Sequence, residues 1–258
     1  MVEKPVSFGG DVDYDVHGKG YARQRRTDPR IAAQVTEALG DARTILNVGA
    51  GAGSYEPLDR HVIAIEPSAT MRAQRPVHLA PAIVGFAESL PLDDQSVDAS
   101  MAMVTAHQWS DLDAGIRELV RVTRGPIVVL TFDGDAMRSF WLAEYGKALM
   151  DVECPRYPKS DRLRDLLGGT VSAEPVRIPF DCTDGFTEAF YGRPEQLLEP
   201  AVRRSQSSWT FLAEGVEGEI VEGLDADIRS GRWDERFGHW RKEPFYEGSL
   251  RLIVSIAR

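Results

Sequence analysis

The sequence predicts an α/β protein built around a mostly parallel sheet, and three observations carry this prediction. Short apolar runs typical of buried strands alternate with segments of helical periodicity, a glycine-rich turn follows the first run, and an acidic residue ends the second. In open sheets of this kind, ligands bind beyond the carboxyl ends of the strands, so the turn and the acid mark the expected site.

A helix and two strands surround the glycine-rich turn. Asp28 and Pro29 are a typical N-cap and first helical residue, the apolar residues that follow recur at helical spacing, and Gly40 ends the helix. Residues 45–48 predict the first strand, and residues 62–65 predict the second.

The alternation continues along the chain. Further strands are predicted at residues 82–86, 97–105, 126–132, 171–180 and 249–258. Further helices are predicted at residues 111–124, 136–150 and 161–167. The last strand therefore returns to the sheet after a long excursion.

The glycine-rich turn and the acid together indicate a nucleoside-containing ligand. Gly49, Gly51 and Gly53 can adopt backbone conformations closed to other residues, which lets a ligand approach closely. Glu66 ends the second strand, where a carboxylate is well placed to accept hydrogen bonds from the two hydroxyls of a ribose. Taken alone, the three glycines could also form a plain turn that binds no ligand.

The glycine spacing argues against two common nucleotide-binding motifs. The dinucleotide fingerprint has its third glycine three residues after the second, whereas Gly51 and Gly53 are two apart and Ser54 occupies the expected position. No Gly-Lys-Ser/Thr follows, as a Walker loop requires. An NAD-dependent dehydrogenase is therefore a weaker interpretation, although it would share the strand, the turn and the acid.

The composition is that of an ordinary globular protein. The chain has 258 residues, of which 43% are hydrophobic and 27% charged, and its net charge of -10 argues against a general nucleic-acid binder. No apolar run approaches the roughly 20 residues that span a bilayer, and nothing near the N-terminus has the layout of a signal peptide. We expect a cytoplasmic monomer or homodimer without a metal, membrane or nucleic-acid partner.

Four motifs, in order, resemble the class I S-adenosylmethionine-dependent methyltransferases, specifically the small-molecule group called methyltransferase type 11. The motifs are ILNVGAGAGSYE, VIAIEPSATM, GFAESLPLDDQSVDASMA and IRELVRVTRGPIVVLTF. The resemblance covers residues 28–132 well and the last strand loosely. It implies a Rossmann-like three-layer sandwich, with a mostly parallel seven-stranded sheet, an antiparallel last strand and a helical cap inserted before that strand.

The resemblance also implies the domain organisation and the cofactor. Residues 1–30 would form a lid segment, residues 31–183 and 247–258 the cofactor-binding domain, and residues 184–246 the cap. The cofactor would be S-adenosyl-L-methionine and its product S-adenosyl-L-homocysteine. The cofactor-binding residues would be Tyr21, Arg25, Asn47, Gly49, Ala50, Gly51, Gly53, Glu66, Pro67, Met71, Phe86, Ala87, Glu88 and Thr105.

Two positions depart from the family pattern. Asn47 replaces a common acid by a neutral amide, which can still accept a hydrogen bond. Phe86 stands where an aspartate commonly receives the adenine amine, so it would pack or stack and leave the Ala87 backbone N–H as the polar partner. A non-catalytic cofactor-binding or regulatory protein is the alternative that these departures leave open.

The candidate base is His107, which lies in TAHQWSD just after the fourth strand. A histidine titrates near pH 6.5 and can accept a proton at neutral pH, although a histidine here can equally line the site. In the lid segment, the aromatic faces of Tyr14 and Tyr21 would attract a sulfonium cation. Arg25, one helical turn after Tyr21, could reach the cofactor carboxylate.

The predicted cap is dense in aromatic residues, which suits either a pocket for a small, apolar or aromatic methyl acceptor or the core of the cap itself. O-methylation is the favoured reaction. The predicted acceptor-pocket residues are Tyr14, Trp109, Tyr191 and Trp209.

Overall fold

The computed structural model describes residues 12–18 and 20–256, so the first eleven residues of the predicted lid lie outside the described part. The described strands are β1 Thr44–Val48, β2 His61–Ile65, β3 Ala99–Met103, β4 Ile127–Phe132, β5 Thr170–Pro175, β6 Ile178–Pro179, β7 Phe245–Tyr246 and β8 Leu250–Ile256. The described α-helices are α1 Tyr14–His17, α2 Tyr21–Gln24, α3 Pro29–Ala38, α4 Ala69–Ala73, α5 Leu112–Val122, α6 Gly134–Met137, α7 Lys147–Glu153, α8 Ser160–Leu167, α9 Pro200–Arg204, α10 Val216–Ser230 and α11 Arg232–Phe237.

Six strands form the main sheet in the order β2-β1-β3-β4-β8-β5. β1 pairs in parallel with β2 and β3, β3 pairs in parallel with β4, and β8 runs antiparallel to both β4 and β5. The prediction of a mostly parallel sheet with an antiparallel last strand is therefore confirmed. The carboxyl ends of β1 to β4 meet at one edge, where ligands bind in such sheets.

The strand predicted at residues 82–86 is not formed, so within the described part of the chain the sheet has six strands instead of seven. Ile83 makes a single parallel bridge with Ile65, through hydrogen bonds of 2.8 Å to the Ala64 carbonyl and 3.0 Å from the Glu66 N–H. Pro81 has no N–H to donate next to this bridge, and the segment lies half exposed at the sheet edge. The ladder therefore does not extend.

Two apolar clusters cover the two faces of the sheet, because successive strand residues point to opposite sides. Ile45 packs with the buried face of α3, whereas its neighbour Leu46 packs with the buried face of α5. Both helices begin where the sequence predicts: the side chain of Asp28 caps α3, and that of Asp111 caps α5. The result is the expected three-layer sandwich.

The helix predicted at residues 136–150 is divided into α6, a 3₁₀ turn at Trp141–Glu144 and α7. The turn directs Trp141 inward, where its Nε1 donates a 2.8 Å hydrogen bond to the Tyr191 carbonyl. The strand predicted at residues 171–180 is likewise divided into β5 and β6. Contacts with residues distant in the sequence cause both breaks. The hydrophobic periodicity within each segment does not predict them.

The predicted cap, residues 184–246, contains α9, α10, α11 and several 3₁₀ turns. β6, just before the cap, pairs antiparallel with β7, the last two residues of the cap, and so holds its two ends together. One continuous apolar cluster includes both Ile31 under the sheet and Trp233 in the cap. The division into domains therefore stays a prediction. Within the described residues, no helix combines the length and apolar character needed to cross a membrane.

Candidate functional site

A cavity opens beyond the carboxyl ends of the parallel strands, and we call it the outer cavity; its space, with the open solvent at its mouth, is about 1090 Å³. The predicted cofactor-binding residues that line it are Tyr21, Arg25, Asn47, Gly49, Ala50, Gly51, Glu66, Pro67, Met71, Phe86, Ala87, Glu88 and Thr105. Residues from the N-terminal segment, the sheet edge and the cap thus surround one space.

The glycine-rich turn forms one wall of the outer cavity in backbone conformations that favour glycine. Gly49 and Gly51 have φ values of 67° and 51°. A Cβ at Gly49 would lie 2.0 Å from the Thr105 hydroxyl, so this position also needs glycine for space. Gly53 does not line the cavity: its φ is 95°, and a Cβ there would lie 2.2 Å from a Leu79 methyl group. Its role is therefore in packing the turn.

Glu66 joins the turn to the end of β2. Its two carboxylate oxygens accept hydrogen bonds of 2.8 Å from the Gly51 N–H and the Ser68 N–H. Burial raises the pKa of Glu66, while these two N–H groups oppose that rise. The remaining lone pairs of a carboxylate held in this way suit the hydroxyls of a ribose.

Asn47 lines the outer cavity and is buried. Its Nδ2 donates a 2.9 Å hydrogen bond to Glu56, whose carboxylate is also held by Arg75 at 2.8 and 3.0 Å. Among the described residues, Asn47 Oδ1 has no hydrogen-bond partner. Because a buried carbonyl oxygen normally has a partner, this atom is a candidate acceptor for a ligand N–H. Glu56, whose carboxylate is hydrogen-bonded to Asn47, is not among the site residues predicted from the sequence.

The far end of the cavity is bounded by Phe86, Ala87 and Glu88. Glu88 accepts hydrogen bonds from the Ser110 hydroxyl at 2.8 Å and the Asp111 N–H at 3.0 Å, which tie it to the start of α5. Trp109 also lies at this end, packed over Gly115. It is predicted in the acceptor pocket, but it lines the outer cavity.

Arg25 also lines the outer cavity, where it forms a buried ion pair. Its Nε donates a 2.6 Å hydrogen bond to Asp184 Oδ1, and Tyr55 donates one of 2.8 Å to Asp184 Oδ2. The Arg25 guanidinium also lies over the rings of Tyr21 and Phe186, at 5.3 and 5.9 Å from the ring centroids. Asp184 and Tyr55 are functional candidates that sequence analysis missed, because their partners are far away in the sequence.

A second cavity of about 510 Å³, the inner cavity, adjoins the first. Tyr14, Tyr21, Arg25 and Val104 line both and form the shared wall. Val104 has a φ of 52°, a conformation that a β-branched residue adopts only under strain. Such strain is concentrated at functional sites, which suits a residue placed between two cavities.

Aromatic and polar side chains line the rest of the inner cavity. They include Phe132, Tyr157, Phe186, Thr187, Glu188, Ser205, Gln206 and Ser207. Glu188 is buried, both of its oxygens lie within 3.1 Å of the Ser249 N–H, and burial raises its pKa to about 7. No sequence pattern distinguishes these residues from ordinary packing residues.

His107 lines the inner cavity and not the outer one. Its ring lies 4.5 Å from that of Tyr157, and its Nε2 lies 2.7 Å from the side-chain amide of Gln108. Burial lowers the pKa of His107 well below its usual value, with Arg156 and Arg25 acting in the same direction. Its surroundings oppose the charged form of the ring, and the role of His107 as base stays a prediction.

Tyr191 and Trp209 line neither cavity. Tyr191 is fully buried, stacks on Tyr246 at 5.2 Å and donates a 2.7 Å hydrogen bond to the Glu243 carbonyl. Trp209 is buried and donates to Gln206 at 3.3 Å. Both are packing residues of the cap, and Tyr14 alone of the four predicted acceptor-pocket residues lines the inner cavity.

Comparisons with known proteins agree with this architecture. A family model described as a methyltransferase domain matches residues 46–126. A solved structure from Anabaena variabilis, ascribed to the methyltransferases of an antibiotic biosynthesis pathway, is 31% identical, covers 90% of this chain and 98% of its own, and superimposes with a TM-score of 0.83.

Curated relatives match over shorter segments. An uncharacterised methyltransferase of Mycobacterium tuberculosis is 35% identical over 42% of this chain and 47% of its own length. The malonyl-[acyl-carrier protein] O-methyltransferase of Yersinia pestis is 32% identical over 52% of this chain and 51% of its own. The matched region thus spans about half the length of these relatives. With the full-length structural match, the fold and the motifs show that the chain belongs to the class I S-adenosylmethionine-dependent methyltransferases.

Proposed function

We propose that the protein binds S-adenosylmethionine in the outer cavity and methylates a small acceptor held in the inner cavity. The observation that carries this proposal is the shared wall of the two cavities, which brings an acceptor next to the cofactor site. S-adenosylmethionine supplies, when bound, an electrophilic methyl group on a sulfonium.

The residues of the outer cavity fit this cofactor. Asn47 Oδ1, without a partner among the described residues, would accept a hydrogen bond from the ammonium group, and Glu66 would accept from the ribose. Gly49 and Gly51 line the cavity with backbone that carries no side chain, next to Thr105 and Met71. Phe86 and Ala87 would bound the adenine, with Phe86 37% exposed at the cavity edge and Ala87 buried.

The residues of the inner cavity would bind and orient the acceptor while excluding water. Its rings favour a small apolar or aromatic body, and the hydroxyl and amide groups of Ser205 and Gln206 can orient a polar tip. Because His107 is uncharged, its ring can donate a hydrogen bond to a hydroxyl of the methyl acceptor or accept one from it, and the proton stays on the hydroxyl. Positioning and desolvation are the main contributions that methyl transfer requires of the protein.

We favour transfer to oxygen. The Yersinia pestis relative is named as an O-methyltransferase, and the Anabaena variabilis structure is ascribed to a pathway of small-molecule synthesis. The Anabaena variabilis relative supports a small acceptor.

The test has two stages. Calorimetry with S-adenosylhomocysteine and, in parallel, NADH should show binding of the first alone; binding of NADH instead would favour a dehydrogenase. Methyl-labelled S-adenosylmethionine is then incubated with a panel of phenols, carboxylic acids and amines. Label in an oxygen-linked product supports the proposal, label in an amine contradicts the preference for oxygen, and tight binding without transfer to any acceptor favours the non-catalytic alternative.

A further inference from the structure

Asp184 is the first residue of the predicted cap, yet it lines the cofactor cavity. Its carboxylate joins three parts of the chain. Oδ1 accepts from Arg25 Nε of the N-terminal segment, at 2.6 Å, and Oδ2 accepts from the Tyr55 hydroxyl after the glycine-rich turn, at 2.8 Å. The two charged side chains are only 10% and 3% exposed, so water does not compete strongly for these contacts.

The backbone reinforces this junction. Arg25 and Asp184 form an antiparallel bridge, and the Gly185 N–H donates a 2.9 Å hydrogen bond to the Gln24 carbonyl. Tyr55 is itself fixed, since its φ is 65° and its N–H donates a 2.9 Å hydrogen bond to the Thr27 hydroxyl. The carboxylate of Asp184 therefore has a defined position relative to the turn.

The contact with Asp184 also determines the direction of the Arg25 guanidinium. Among the described residues, the side-chain hydrogen bond of Arg25 uses Nε alone, and its two terminal nitrogens have no such bond. A guanidinium held through Nε presents its remaining N–H groups as a fixed fork, which matches a carboxylate. Arg25 lines the same cavity as Asn47, the candidate acceptor for the ammonium group.

We propose that Asp184 is a positioning residue that orients Arg25 toward the α-carboxylate of the cofactor, so that the cap contributes to cofactor recognition. This inference rests on the proposed binding of S-adenosylmethionine. It assigns Asp184 no direct contact with the ligand.

Three ligands separate this role from the alternatives. S-adenosylmethionine has both the amine and the carboxylate, decarboxylated S-adenosylmethionine lacks only the carboxylate, and 5′-methylthioadenosine lacks both. Calorimetric affinities for all three are measured with the wild type and with Asp184→Asn. We expect the substitution to weaken S-adenosylmethionine about 10- to 100-fold, with the other two ligands changing less than about twofold.

The other patterns overturn the inference. Equal weakening of S-adenosylmethionine and its decarboxylated form, with 5′-methylthioadenosine unchanged, would mean that Asp184 acts on the ammonium or sulfonium charge and not through the carboxylate. Equal weakening of all three ligands would mean a structural role alone, and unchanged affinities would mean no role. A wild-type protein that binds none of them contradicts the proposed function itself, so the two failures are distinguishable.

One further variant guards against loss of folding, because removing one partner of a buried ion pair destabilises a protein. Tyr55→Phe removes the second hydrogen bond to Asp184 without changing any charge. It should weaken S-adenosylmethionine alone, by about 3- to 10-fold. Arg25→Gln should reproduce the ligand pattern of Asp184→Asn, and a different pattern contradicts the proposed pathway from Asp184 through Arg25.

Discussion

Single residues decide both the binding and the pH dependence expected of this protein. Glu66 is the clearest case, since its carboxylate is buried between two backbone N–H donors at the end of β2. We expect Glu66→Ala to weaken S-adenosylhomocysteine and 5′-methylthioadenosine alike, by about 1.5 to 3 kcal/mol, because both carry the ribose. Calorimetry measures this loss, and Glu37→Ala on the exposed side of α3 is the control. Unchanged affinity would remove Glu66 from the ribose site.

Glu188 predicts a pH-dependent stability. Burial raises its pKa from 4.5 to about 7, so between these values the native state binds more protons than the unfolded state. Stability therefore falls as pH rises through this range, by up to about 3 kcal/mol for this group. Glu188→Gln keeps an acceptor for the Ser249 N–H and carries no charge.

Urea unfolding at pH 5 and pH 8 tests this expectation. The Glu188→Gln variant should be close to the wild type at pH 5 and more stable than the wild type at pH 8. Glu37→Gln serves as the exposed control and should leave the difference between the two pH values unchanged. Equal stability of Glu188→Gln and the wild type at both pH 5 and pH 8 would contradict the raised pKa of Glu188.

At the scale of elements, the glycine-rich turn offers a matched comparison. Gly51 and Gly40 have similar φ values, 51° and 56°, but only Gly51 lines the outer cavity, while a Cβ at Gly40 has no atom within 4 Å. Alanine at either position should cost about 1 to 2 kcal/mol of stability through backbone strain. Only Gly51→Ala should also weaken S-adenosylhomocysteine, by tenfold or more.

Thermal unfolding and calorimetry on the two variants distinguish strain from ligand contact. If Gly51→Ala and Gly40→Ala lose affinity to the same extent, the turn acts through stability alone. If Gly51→Ala binds normally, the turn is not a wall of the cofactor site.

Local patterns explain which elements could be predicted from the sequence. The N-cap at Asp28, the turn around Gly51 and the acid at Glu66 each depend on neighbours within a few residues, so the sequence carries their signals directly. The contact between Arg25 and Asp184 spans 159 positions, and no local pattern records it. Tyr191 is predicted in the acceptor pocket but is a core residue of the cap. The two cases cannot be separated by sequence, because a core and a ligand pocket contain the same types of side chain.

At the scale of the whole molecule, the outer cavity connects the N-terminal segment, the sheet and the cap. A ligand that binds only the native state at 100 times its Kd stabilises it by about 2.7 kcal/mol. Because Asp184 and Arg25 belong to the site, we expect S-adenosylhomocysteine to slow hydrogen exchange in the first part of the cap as well as in the turn.

Hydrogen exchange with mass spectrometry checks this expectation. 5′-Methylthioadenosine, which lacks the amino-acid portion, is the control ligand and should slow exchange in the turn but not at the start of the cap. Equal protection of the cap by both ligands would mean that the cap responds to cofactor binding in general and not through the ion pair.

The wall of Tyr14, Tyr21, Arg25 and Val104 has a kinetic consequence. Since these side chains face both cavities, an occupant of the outer cavity would hold in place the wall that bounds the inner one. We expect a compulsory order in which the cofactor adds first and the demethylated cofactor leaves last. In steady-state product inhibition, S-adenosylhomocysteine should then compete with S-adenosylmethionine but not with the acceptor, and the methylated product should compete with neither. Competition between the methylated product and the acceptor would indicate that the inner cavity accepts its occupant independently.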